Sequence, residues 1–180
     1  MRQALLVALL VAVASGCKLT TEPTPETSPR TRRTSWPGDW VGTWHGTLHL
    51  EGNLNMDPIP FELEIGPAEE GGERRWRLGY DDAPARDYRL ITRDAAAGLY
   101  AIDEQNGIVL EARLVGDTLV SVFAVGQQIL VTSQRFLEDR IEHEILTFSR
   151  ASASTGRDVD THAVMGRQHA ALRELSNQSS

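Results

Sequence analysis

The chain has 180 residues but only one cysteine and one lysine, and its longest apolar run is eleven residues. That run, ALLVALLVAVA at positions 4–14, is well short of the roughly 20 residues a membrane-crossing helix requires, so no spanning helix is expected. With a single thiol, Cys17, an intramolecular disulfide is excluded. There is no Gly-x-Ser-x-Gly elbow, His-Glu-x-x-His pair, phosphate-cradling glycine loop, dinucleotide fingerprint or calcium-loop ladder. No catalytic residue is therefore assigned, and the expectation is a non-enzymatic protein with no cofactor. Lysine is almost absent, but 17 arginines take its place; against 25 acidic residues the net charge is −7. Such a chain is repelled by phosphate backbones and anionic lipid surfaces, which argues against nucleic-acid binding.

Apolar residues make up 41% of the chain and charged ones 24%. That is the composition of one globular domain with appendages, in a chain too short for two comfortable cores. The first appendage is at the front. Arg2, the apolar run and the small residues Ala14-Ser15-Gly16 have the layout of a signal peptide over residues 1–16. Ending as it does at Cys17, the segment resembles the lipobox of bacterial lipoproteins, with Ala14 where leucine is most usual. The resemblance implies cleavage before Cys17 and lipid attachment to it. It thereby accounts for a lone exported thiol and makes the membrane a partner through that lipid. More than one acyl chain is needed for stable anchoring, as is typical of that family. Lys18, where aspartate is the usual inner-membrane retention signal, implies the outer membrane if the source is a diderm bacterium. Removing residues 1–16 takes away Arg2 and no acid, leaving the mature chain at −8. Residues 17–35 then read as a lipid-anchored tether. The stretch from Thr20 to Ser35 is Thr, Ser, Pro, Glu and Arg with almost nothing apolar to bury.

From Trp40 to about Ala151 the pattern changes to period-2 alternation broken by turns. In Phe61-Glu62-Leu63-Glu64-Ile65 the apolar residues take one face and the glutamates the other. Arg75-Trp76-Arg77-Leu78 repeats the scheme, Tyr88 and Leu90 alternate with Asp87 and Arg89, and Leu110, Ala112 and Leu114 alternate with Glu111 and Arg113. Gly71-Gly72, Asn106-Gly107 and Gly116-Asp117 punctuate these runs as hairpin turns. Nine strands are expected, near 41–51, 60–66, 73–80, 85–93, 99–104, 108–115, 118–126, 129–136 and 141–149. An open sheet of that many strands leaves unpaired backbone at both margins, and closure removes it. The fold class is thus all-β: a single antiparallel up-and-down meander closing into a small barrel of about 8–10 strands over residues 36–151. Residues 152–180 read as a polar tail with a short helix over 163–175, striped by Val164, Met165, Leu172 and Leu175.

Gly38-Asp39-Trp40-Val41-Gly42-Thr43-Trp44 holds two Gly-x-Trp units and resembles the opening of lipocalin-like (calycin) barrels. The resemblance implies that Trp40 plugs one end of the barrel and that Arg150, late in what reads as the last strand, packs across it.

Among the histidines, His45 and His49 share a strand face opposite Trp44, Leu48 and Leu50, so both are expected in solvent and no metal is assigned. His143 shares a face with Ile141 and Ile145 and is expected inside the barrel, either as a satisfied core histidine or as a ligand contact. Trp44, Trp76, Tyr80, Tyr88 and Tyr100 also fall on inward faces and, with His143, form the candidate ligand-binding set; the plain alternative is that they are core residues. Three readings stay open. The first is an envelope lipoprotein whose barrel holds a small hydrophobic or amphipathic molecule. The second is a structural or protein-interaction lipoprotein with a solid barrel and no ligand. The third, more remote, is a haem- or metal-binding barrel centred on His143.

Overall fold

A computed structural model describes residues 35–52 and 56–175. The signal segment, Cys17, the tether up to residue 34 and residues 176–180 lie outside the described residues. A 3-10 turn, Gly38–Trp40, leads into ten strands: β1 Gly42–Gly52, β2 Met56–Ala68, β3 Arg74–Tyr80, β4 Arg86–Asp94, β5 Leu99–Asp103, β6 Val109–Val115, β7 Thr118–Val125, β8 Gln128–Phe136, β9 Ile141–Ser154 and β10 Asp160–Glu174. Each strand pairs antiparallel with the next, and β10 returns to pair with β1, so the sheet is a closed barrel. Closure leaves no edge to template aggregation.

Alternation sets which side chains enter. Phe61, Leu63 and Ile65 are at most 2% exposed. Between them, Glu62 pairs with Arg77 on the outer face, and Glu64 lies within ion-pair distance of Arg75 and Arg77. Every strand contributes at least one buried apolar residue to a single core. Two hairpins show how the turns fix register. Gly116-Asp117 and Gly126-Gln127 are two-residue turns whose first residues have φ of +63° and +57°, which glycine adopts without a Cβ clash.

The tenth strand corrects the sequence reading, which stopped at nine and placed a helix over residues 163–175. That segment is β10, paired along one side with β9 and along the other with β1. Its register shifts twice, around Val164 and before Gly166, where extra residues are accommodated. These irregularities put Val164 and Met165 side by side in sequence and break the period-2 signal, leaving spacings that imitate a helical stripe. The barrel therefore runs to Glu174 rather than ending near residue 151.

Candidate functional site

The antiparallel order places the β2–β3, β4–β5, β6–β7 and β8–β9 turns at the end where β1 begins, and the other turns at the opposite end. The first end is closed by aromatic packing. The Trp36 ring meets Tyr100 edge-on at 4.5 Å and lies 5.4 Å from Phe136, while Trp40 meets Phe136 edge-on at 5.6 Å. Trp40 Nε1 donates to the Leu137 carbonyl at 3.3 Å, and Trp44 Nε1 donates to the Trp40 carbonyl at 3.0 Å. Trp40 therefore stands at a barrel end.

Arg150 does not reach it. β9 starts at that closed end with Ile141, so nine residues further on, at ~3.3 Å per residue, Arg150 is at the far end. There it is exposed and donates to the Gly126 carbonyl in the β7–β8 turn at 3.4 Å. The expectation counted β9 as the last strand; with β10 present, the strand that returns to the Trp40 end carries Arg173. Arg173 donates to Asp139 Oδ2 at 3.0 Å, in the same β8–β9 turn that accepts the Trp40 indole. Replacing Arg150 by alanine is accordingly expected to change unfolding free energy by less than ~0.5 kcal/mol, as for other surface substitutions. Urea denaturation checks this, and a loss several times larger would contradict the placement.

The interior is divided. On the β1, β2 and β10 side it is solid, filled by Trp44, Leu48, Phe61, Leu63 and Leu172. On the β3–β9 side is a cavity of about 280 Å³. Its apolar wall comes from Leu78, Ile102, Leu110, Leu119, Phe123, Leu130 and Ile145, with Trp76 among them. Tyr80 ends β3, Arg86 begins β4 and Glu104 follows β5, so these three mark the open end. Tyr80 and Trp76, both lining residues, are ~13 Å apart along β3 at strand rise.

Its polar centre is His143 on β9, opposite Gln134 on β8. The imidazole is 3% exposed and lies 4.8 Å from the Phe61 ring. Gln134 Nε2 meets its Nδ1 at 3.2 Å. With the amide donating, Nδ1 is the acceptor and Nε2 carries the proton. Nε2 is fully buried and has no hydrogen-bond partner. Burial alone pushes the His143 pKa down to about 4, so the ring is neutral at physiological pH. The Tyr80 phenol is pushed up to about 12, chiefly by burial and against the pull of Arg86. Arg86 lies over the Tyr80 ring, 5.0 Å from its centre. Ser121 also faces inward, but its hydroxyl is spent on the Glu111 carbonyl at 2.7 Å.

Of the six residues singled out from sequence, Trp76, Tyr80, Tyr88 and His143 line this cavity. Trp44 and Tyr100 do not: the first belongs to the solid half and the second to the closed end. Sequence reasoning missed Gln134, Arg86 and Trp36. Gln134 was visible in principle as a polar residue on the inward face of β8. His45 and His49 are on the outer face, His45 Nδ1 3.5 Å from Glu62 and the His49 ring stacked on His169 at 5.2 Å. Among the described residues, no three His, Cys, Asp or Glu side chains gather as a metal ion would need.

The outer wall of β7–β10 has a different character. Val122, Val131 and Leu146 are register neighbours in one row, and Ala124, Ile129, Phe148 and Val164 in the next. Val122 and Val164 are 62% and 67% exposed, so this is an apolar band open to solvent.

Fold and cavity together define a closed up-and-down β-barrel, solid along one side and hollow along the other. A solved structure shares that fold: a protein of unknown function from the DUF3598 family of Nostoc punctiforme, with a TM-score of 0.55 at 8% identity. The likeness covers 75% of this chain and 47% of that one, so this chain spans about half the length of its neighbour. No family model matches the sequence, and no curated protein matches it.

Proposed function

We propose that this protein is a lipid-anchored envelope protein whose barrel binds a small amphipathic molecule. The observation that carries the binding role is the cavity itself, about 280 Å³ with largely apolar walls, an open mouth and the Gln134–His143 pair among its lining residues. The space suits a small molecule. A 150 Å³ engineered cavity holds benzene, so about 280 Å³ takes a body close to twice that size. The anchoring role rests on the sequence at Cys17.

One variant of the full chain tests both parts. Cys17→Ser, expressed in a bacterial host, is expected to lose incorporation of labelled palmitate and to move from the membrane to the soluble fraction. Continued labelling and membrane retention would sink the anchor. The released variant, purified without detergent, is then denatured and extracted with organic solvent for mass spectrometry. A stoichiometric small molecule is expected. An empty extract would overturn the binding role and favour contact with a protein partner through the apolar band on β7–β10.

A further inference from the structure

Resting on that reading, we propose that the ligand is a small organic acid with polar groups at both ends of an apolar body. Its anion is held by Arg86 at the open end, and its far polar end lies towards the Gln134–His143 pair among the lining residues. Arg86 is set apart from its neighbours by its partners. On the outer face of β3 and β4, Arg75 is paired with Asp87, Arg77 with Glu62 and Arg89 with Glu69. Arg86 makes no ion pair within 4 Å with any described carboxylate; it lies over the Tyr80 ring, with Tyr88 next to it among the lining residues. The nearest cavity-lining acid is Glu104, and its Oε2 is engaged by Asn106 Nδ2 at 3.2 Å. The lip thus offers a guanidinium already oriented by two aromatic residues, with donors left for an incoming carboxylate. Guanidinium–carboxylate pairs of this kind are strong and directional.

Distance and chemistry fit the same description. Arg86 stands at the mouth over Tyr80, and the Phe61 ring links that mouth to His143, 5.0 Å from the Tyr80 ring and 4.8 Å from the imidazole. Most of the wall is aliphatic or aromatic and no charged side chain lies below the lip, so a charge is best accommodated at the lip, where water still reaches it. Thr132, Gln134 and His143 are the polar lining on β8 and β9, and that side suits a hydroxyl or carbonyl oxygen.

The probes are 10-hydroxydecanoate and 1,10-decanediol, which share body and deep hydroxyl and differ only at the mouth end. Both are titrated into the Cys17→Ser full chain by calorimetry at pH 7.5 and low salt. The hydroxy acid is expected to bind about tenfold more tightly than the diol, one charge-assisted contact at a partly exposed site. Added salt should narrow that ratio. Arg86→Met should bring it to about one, and Arg86→Lys should retain a preference for the acid. Equal affinity for both probes in the parent chain would overturn the anion site and leave the cavity standing. If neither probe bound, the cavity reading would fail with it.

Discussion

Replacing Trp44 by alanine is expected to cost the barrel ~3–5 kcal/mol of its stability. The indole is fully buried in the solid half, and in register it sits between Leu63 on β2 and Glu174 on β10. Truncating a buried aromatic to alanine costs ~3–5 kcal/mol through lost transfer energy and the cavity left behind. Nothing nearby can collapse into the gap, because closure of the barrel fixes the strands on both sides. The substitution also removes the Nε1 bond to the Trp40 carbonyl, which ties the 3-10 turn to the first strand. Against a total of ~5–15 kcal/mol for a domain of this size, that loss is severe. Equilibrium urea denaturation should show a much lower midpoint at unchanged slope, and Trp44→Phe should recover most of the difference. A loss under ~1 kcal/mol would mean that the β1–β2–β10 side is not close-packed.

Much of this architecture is legible in the residues. Strand after strand alternates, and the inward set read from Phe61, Leu63, Ile65, Trp76 and Leu90 is the buried set. Alternation is readable because an antiparallel sheet with one wet face demands it locally. What fails is whatever depends on distant parts of the chain. β10 is disguised by its register shifts, and once it is missed, Arg150 is assigned to the wrong end. The cavity is illegible for another reason. Period 2 tells which side chains enter the barrel, but not whether their summed volume fills it; that depends on strand number and stagger. His143 could be placed inside from Ile141 and Ile145 alone. That its Nε2 finds no partner could not, because the partners on offer come from β2, β8 and the far wall.

That unpartnered nitrogen predicts a variant more stable than the natural chain. Gln134 and His143 bond each other and little else, so changing one alone would strand the other. Changed together to leucine, at similar volume, they remove one buried bond and one orphaned N–H. Replacing both partners by apolar groups is neutral to stabilising, and relief of the orphan adds ~1–3 kcal/mol at pH 7. The gain should grow in acid. In the unfolded chain the histidine titrates near 6.5, whereas burial holds it near 4 in the barrel. Between those values the unfolded state takes up a proton that the folded state refuses. The natural protein therefore loses stability as pH falls from about 6.5 to about 4, and the loss levels off below that. Its full extent is on the order of 3 kcal/mol. The double variant lacks this dependence, while the carboxylates shared by both proteins cancel in the difference. Urea midpoints at pH 7.5, 5.5 and 4.5 should diverge steadily in favour of Gln134→Leu/His143→Leu, and parallel curves would refute the buried neutral imidazole. The same variant should fail to bind 10-hydroxydecanoate. A barrel that becomes more robust as it loses its ligand is one in which a polar pair is kept for binding and not for folding.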